Sequence, residues 1–212
     1  MPAGRGSQGL YHGCMRKSRE ERRTEVAAAA LKIVGEYGVQ GATMARIAGE
    51  VGISGPALYK HFDSRAEILE AALDQLQQRV TSWLDSSVEA DALQRLRELD
   101  AKHVSTIARD YEGVVAPLFE FVAASPRSEL KAQMGRRQRE TLQRFITILE
   151  DGQRQGSIRK DIDTVVVAWS VVGLTWMENV AVLEGVDEFI TDGISSRMLE
   201  SILKEISPEQ AG

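Results

Sequence analysis

The stretch that decides the fold is TMARIAGEVGISGPALYKHF, residues 43–62. Thr43 can cap a short helix whose apolar residues share one face, and Gly52 then permits a sharp turn. Ser54 can cap a second short helix, opened by a Gly-Pro pair and extending to about Phe62. Two short helices joined by a tight turn predict a helix-turn-helix, in which the second helix enters the major groove of DNA.

The outward positions of the second helix suit contact with DNA. The Ala57 methyl can contact a thymine, and Tyr59, Lys60 and His61 can reach phosphates or base edges. Arg46, on the first helix, can reach a phosphate or a guanine. Two alternatives stay open: a helix-turn-helix used only for packing, and a His61 that is partly packed and contacts nothing.

The segments on either side of this motif are helical. From Ser18 to Tyr37 apolar residues recur every three or four positions, and Gly38 is typical of a helix end. Ser64 to Glu67 fits a capping box that opens a long helix. Weak breaks divide the rest of the chain, so the sequence predicts about nine helices and no strands, an all-α protein.

Basic residues precede the first helix: Arg16, Lys17, Arg19, Arg22 and Arg23. Such an arm can enter the minor groove or follow phosphates. The alternative is a solvated helix face with Glu20 and Glu21 as partners of these cations. Residues 1–17 are expected to be a disordered tail, and its first 14 residues either belong to the native start or are an extension.

Three runs, at residues 23–38, 43–62 and 64–69, resemble the N-terminal domain of the tetracycline-repressor (TetR) family of bacterial transcription regulators. They are R-x-x-x-x-x-A-A-x-x-I-x-x-x-Y-G, T-M-A-R-I-A-x-x-V-G-I-S-G-P-A-L-Y-K-H-F and S-R-A-E-I-L. The resemblance implies a helix-turn-helix domain at 18–65 and a helical effector-binding and dimerisation domain at 66–207. It implies this DNA-contacting set: Thr43, Arg46, Gly55, Pro56, Ala57, Tyr59, Lys60, His61 and Arg65. The family usually has Lys in place of Arg65 and often a longer polar side chain in place of Gly55.

The second domain is expected to hold an apolar pocket between helices. Candidate ligand-binding residues are Trp83, His103, Ile107, Tyr111, Phe119, Phe145, Trp169, Met177 and Asn179. Each aromatic can equally be core, and His103 can equally be a surface histidine. Two final helices, at about 163–184 and 187–206, are candidates for a homodimer contact. On the first, Val165, Trp169, Val172, Gly173, Trp176 and Val180 form the expected face.

Charge and composition limit the function classes. The 212 residues carry a net charge of −5, yet residues 1–65 carry +4 and the remainder −9, so the part that would meet DNA is basic. One cysteine and no apolar leader predict a cytoplasmic protein. The apolar run from Thr164 to Met177 is too short to span a membrane and predicts a buried helix.

No catalytic, metal-binding or cofactor motif stands out, so we expect neither an enzyme nor a cofactor. The leading hypothesis is a transcriptional regulator, most often a repressor, that binds a pseudo-palindromic operator as a dimer and is released by a small apolar or aromatic ligand. The alternative is a helical small-molecule-binding adaptor that does not bind DNA. The sequence does not identify the ligand, the operator or the target genes.

Overall fold

The computed structural model describes residues 17–82, 84–85, 91–124 and 128–208, which form ten α-helices, one π turn and no strand. The helices are α1 (Arg19–Gly41), α2 (Met44–Val51), α3 (Gly55–Leu58), α4 (Arg65–Thr81), α5 (Ala92–Arg109), α6 (Ala116–Val122), α7 (Glu129–Gln155), α8 (Thr164–Glu184), α9 (Glu188–Thr191) and α10 (Ile194–Ile206). The π turn, Tyr111–Val115, joins α5 to α6. The all-α prediction is therefore confirmed, and most of the predicted tail lies outside the described residues.

Two helix ends differ from the sequence prediction. Helical geometry is interrupted at Gly38 as expected, but the chain resumes helical bonding as far as Gly41. The last predicted helix is divided into α9 and α10 because Gly193 adopts a left-handed φ of +70°, which glycine tolerates at no steric cost. This division gives ten helices instead of about nine.

The first core cluster joins the two halves of the chain. It contains buried residues of α1 to α4, such as Val34, and Phe62 from the turn between α3 and α4. It also contains Leu118 and Phe121 of α6 and Leu130 of α7. The helix-turn-helix therefore packs on a continuous apolar core that the second half completes.

The second core cluster lies between α5, α7, α8 and α10. Trp176 of α8 packs against both clusters, and its ring meets that of Phe119 edge to face with centroids 5.9 Å apart. Trp176 thus links the two cores.

Helix α8 is longer than the apolar run that the sequence suggests, because Glu178 is accommodated inside the helix and is buried. By length and composition α8 could cross a membrane, so the prediction that this segment is too short was wrong. A core helix of a soluble protein passes the same test, and α8 packs against α5, α7 and α10. A single helix of this kind is weak evidence for a membrane span.

Candidate DNA-binding surface and effector cavity

The turn between α2 and α3 is built by local hydrogen bonds. The Thr43 hydroxyl accepts from the backbone N–H of Arg46 at 3.3 Å, as the predicted cap requires. Gly52 has a left-handed φ of +72°, and its N–H closes the end of α2 on the carbonyls of Ala48 and Gly49. These bonds fix the angle at which α3 leaves α2.

Helix α3 is shorter than predicted, because it ends at Leu58 and continues as a looser turn towards Phe62. Ser54 has the backbone conformation of a cap, but its side chain makes no capping bond; its carbonyl accepts from Ala57 and Leu58 instead. The turn still separates two faces, with Leu58 and Phe62 buried and Tyr59 58% exposed.

The candidate DNA contacts differ in exposure. Thr43, Arg46, Pro56, Tyr59 and Lys60 are exposed, whereas Gly55, Ala57, His61 and Arg65 are half-buried. All except Arg65 belong to α2, α3 or the turns beside them. The structure therefore groups these eight residues on one unit, whose two helices contact each other.

Two candidate arginines also bind within the protein. Arg46 lies 4.5 Å above the Tyr37 ring and donates to the Gly41 carbonyl at 3.0 Å. Arg65 donates through Nε to the Ala42 carbonyl at 2.7 Å and through Nη2 to the Val39 carbonyl. Any phosphate contact by Arg65 has to compete with these two carbonyls.

Arg23 is a structural residue that sequence reasoning placed in a DNA-binding arm. Its guanidinium lies 4.1 Å above the Phe62 ring and donates to the His61 carbonyl and, at 2.8 Å, to Glu67. Arg23 therefore ties α1 to the end of the recognition turn and to α4. Arg23 and Phe62 are far apart in the sequence, and no sequence pattern predicts that they are in contact.

Other cations of the arm pair with a glutamate that the sequence interpretation did not name. Lys17 and Arg22 each lie 2.7 Å from a carboxylate oxygen of Glu25. Arg16 lies outside the described residues. The described part of the arm thus has a salt-bridged face.

His61 is suited to act as a neutral group. Burial lowers its pKa, as do the positive charges of Arg19, Arg22, Arg23 and Lys60. Its Nδ1 is buried and has no hydrogen-bond partner among the described residues. Burial and the surrounding positive charges therefore favour the uncharged form of this half-buried imidazole.

A small enclosed cavity of about 50 Å³ lies between α4, α5, α6, α7 and α8. Its apolar walls are Leu118, Met134, Phe145, Val172 and Trp176, and polar residues at its border include Gln77, His103, Arg137, Gln138 and Asn179. Three predicted ligand residues, His103, Phe145 and Asn179, meet at this cavity.

The other predicted ligand residues lie elsewhere. Phe119 reaches the cavity only through its contact with Trp176, Ile107 is a buried core residue, and Tyr111 borders an open cleft beside α1. Trp169 and Met177 are 62% and 60% exposed on the outer side of α8, so they do not line the cavity. Trp83 lies outside the described residues.

The inward face of α8 was misassigned from the sequence. Val172 and Trp176 were expected on a partner-facing surface, but both line the cavity together with Thr175 and Asn179. These four residues are spaced by three and four positions, which places them on one helix face and could have identified the inward face of α8. Apolar residues occur on all sides of α8, so that signal is weak.

His103 is buried, so the alternative that it is a surface histidine is wrong. Its Nε2 lies 3.3 Å from the Thr175 carbonyl and 3.5 Å from Oε2 of Glu178. Burial lowers the pKa of His103 to about 4. Burial, together with the Asp100 carboxylate, raises the pKa of Glu178 to about 7.

Asp100 is half-buried, and its burial together with the charge of Glu200 raises its pKa to about 6. Near pH 6 the His103 imidazole and the Glu178 carboxyl are therefore both largely uncharged. Glu178 and Asp100 were missed because an acidic residue in a helical pattern is most often exposed.

Comparison with known proteins decides the family. A model of the tetR family of bacterial regulatory proteins matches residues 26–72, and a tetracyclin repressor-like C-terminal domain matches residues 89–178. The HTH-type transcriptional repressor KstR2 of Rhodococcus jostii is 33% identical over 152 residues, covering 67% of this chain and 70% of that protein. The chain belongs to the TetR family.

Further relatives agree with this assignment. The HTH-type transcriptional regulator UidR of Escherichia coli is 27% identical over 76% of this chain and 82% of its own length. A TetR-family regulator from Cytophaga hutchinsonii superposes with a TM-score of 0.76 at 16% identity, covering 92% of this chain and all of that one. FadR from Bacillus subtilis, solved with stearoyl-CoA, has a TM-score of 0.62 at 19% identity, covering 85% and 95%.

TetR-family proteins are DNA-binding transcriptional regulators and not enzymes, and this member has their fold over nearly its whole length. Among the residues described, no group of three or more His, Cys, Asp or Glu side chains is arranged to hold a metal ion.

Proposed function

We propose that this TetR-family protein binds a pseudo-palindromic DNA operator as a homodimer, acts as a repressor in the bacterial cytoplasm, and releases DNA when a small ligand fills the cavity. The observation that supports the DNA contact is that the end of α3 and the turn after it have one buried side and one exposed side. Leu58 and Phe62 anchor it in the core, and Tyr59 and Lys60 face outward. The proposed contact set is Thr43, Arg46, Gly55, Pro56, Ala57, Tyr59, Lys60, His61 and Arg65.

We expect replacement of Tyr59 and Lys60 by alanine to weaken DNA binding by about 1–3 kcal/mol for each lost specific contact. Both side chains are exposed, so the free energy of unfolding should barely change. The measurement is a fluorescence anisotropy titration with a duplex that the purified protein selects from a random-sequence library.

Lys160→Ala is the matched control, because it removes an exposed cation from the second domain. Its operator affinity should equal that of the wild type. If the Tyr59→Ala, Lys60→Ala variant also keeps full affinity, the proposed DNA surface is wrong and the adaptor alternative gains support.

The proposed dimer contact is the outer face of α8. Val165, Val166, Trp169 and Met177 are each more than half exposed and recur along one side of the helix, where Gly173 is also exposed. Exposed apolar groups that form a patch of this kind mark interaction sites. On α9 and α10, Phe189 and Met198 are also about half exposed. A two-fold axis beside these helices would present two recognition turns to half-sites about one helical turn apart.

We expect Trp169→Glu to convert the dimer into monomers at micromolar concentration, because it places two like charges in an apolar contact. Sedimentation velocity measures the change, and Lys160→Glu serves as a control that alters charge outside this face. A Trp169→Glu protein that remains fully dimeric would show that the contact lies elsewhere.

The cavity supports a response to a ligand because its border contains residues of α4. Gln77 and Thr81 of α4 line it, and α4 begins directly after the recognition turn. A ligand in the cavity would therefore touch the helix that holds the DNA-binding end. It can lower DNA affinity only by binding more tightly to the conformation that does not bind DNA.

A further inference from the structure

Asn179, which borders the cavity, carries an unsatisfied hydrogen-bond acceptor, its Oδ1. The Asn179 Nδ2 donates to the Thr175 carbonyl at 2.7 Å. A carbonyl oxygen only accepts, so this contact fixes which end of the amide is the nitrogen. Oδ1 is buried, and no donor lies within hydrogen-bonding distance of it among the described residues.

Buried polar atoms in folded proteins nearly always have a partner, since an unpaired one loses its hydration without compensation. Asn179 is only 6% exposed and borders the cavity. A donor that enters the cavity is therefore the natural partner for this oxygen.

The surroundings of Asn179 disfavour an anion. His103 borders the cavity, and the buried carboxyl of Glu178 lies 3.5 Å behind its Nε2. Arg137 also borders the cavity, but its guanidinium already pairs with Asp74 of α4. A carboxylate ligand beside Asn179 would thus meet the acceptor Oδ1, and the acidic group of Glu178 lies next to His103 outside the cavity lining.

The walls favour a compact molecule. The cavity of about 50 Å³ is smaller than the space that one aromatic ring occupies, so a ring can enter only if side chains move. Met134 has the flexible side chain best able to make that room, and Leu118, Val172 and Trp176 supply apolar contacts. A long acyl chain would require far larger rearrangement.

We infer that the effector is a compact, mainly apolar molecule with a hydroxyl or amine group that donates a hydrogen bond to Asn179 Oδ1. This inference rests on the proposed effector cavity and names the chemistry of its ligand.

Four probes of nearly equal size test the inference: toluene, benzyl alcohol, benzylamine and benzoate. Binding to the full chain is measured without DNA, by titration of protein NMR signals. Benzyl alcohol and benzylamine should bind about fivefold more tightly than toluene, as a net hydrogen bond to a buried group predicts. Benzoate should bind most weakly.

Asn179→Leu removes the acceptor at similar size and should abolish the preference for the two donors over toluene. Gln143→Leu, the same amide-to-leucine change at an exposed position of α7, should leave the preference intact. If Asn179→Leu fails to fold, the order of the four probes on the wild-type protein decides alone.

Equal affinity for toluene and the donors, tightest binding of benzoate, or no binding of any probe would each overturn the inference. A preference that persists in folded Asn179→Leu would overturn it too. Because no DNA is present, these results are separate from the operator titration, whose failure would contradict the proposed regulatory function instead.

Discussion

Phe62→Ala is expected to lower the free energy of unfolding by about 3–5 kcal/mol, the usual cost of removing a fully buried aromatic ring. Phe62 is 1% exposed in the core shared by the two halves. Its ring also supports the Arg23 guanidinium at 4.1 Å, so the variant loses a cation–π contact as well as apolar burial. Urea denaturation followed by circular dichroism measures the change.

Operator binding should fail in the same variant even where the protein remains folded, because the recognition turn loses its anchor. Tyr59→Ala, three residues earlier, is the control: this side chain is 58% exposed, so stability should stay within about 0.5 kcal/mol of the wild type. A loss below about 1 kcal/mol for Phe62→Ala would mean that the ring does not anchor the turn.

Glu178→Gln is expected to stabilise the protein at alkaline pH relative to the wild type. Burial raises the pKa of Glu178 from 4.5 to about 7, so between these values the folded protein keeps a proton that the unfolded chain has released. The stability of the wild type therefore falls as pH rises through this window, and the whole penalty is present above pH 7. Glutamine has no charge to bury.

The advantage of Glu178→Gln over the wild type should grow by about 2 kcal/mol between pH 5 and pH 8. The lowered pKa of His103 makes stability rise with pH, and the raised pKa of Asp100 makes it fall. Both contributions largely cancel when the variant and the wild type are compared at the same pH. Glu184→Gln, at the exposed end of α8, should show no such trend. An advantage that is independent of pH would contradict a buried, titrating Glu178.

The helix-turn-helix was predictable because its signals are local. The Thr43 cap, the Gly52 turn and the four-residue spacing of Leu58 and Phe62 depend on near neighbours in the chain, and each is present in the structure. The end of α3 was placed too late because the final turn keeps bonds to Leu58 without a regular helix.

The cavity was only partly predictable because it depends on which faces of five helices meet. His103, Phe145 and Asn179 were found as large or polar side chains in apolar segments. In α8, whose apolar residues lie on all sides, periodicity could not separate the inward Trp176 from the outward Trp169. Arg23 was assigned to DNA because no sequence pattern shows a guanidinium resting on a ring 39 residues away.

The shared core has a consequence for how this protein can be divided. Two family models cover the chain in separate pieces, which suggests two modules that can be cut apart. The packing contradicts such a cut, because Leu118, Phe121 and Leu130 belong to the same buried cluster as Val34 and Phe62. A fragment that ends after α4 would expose to water the apolar surface that these later residues cover. The two matched segments are therefore one mechanical unit, in which a shift of α6 is transmitted to α1 through direct packing and not through a linker.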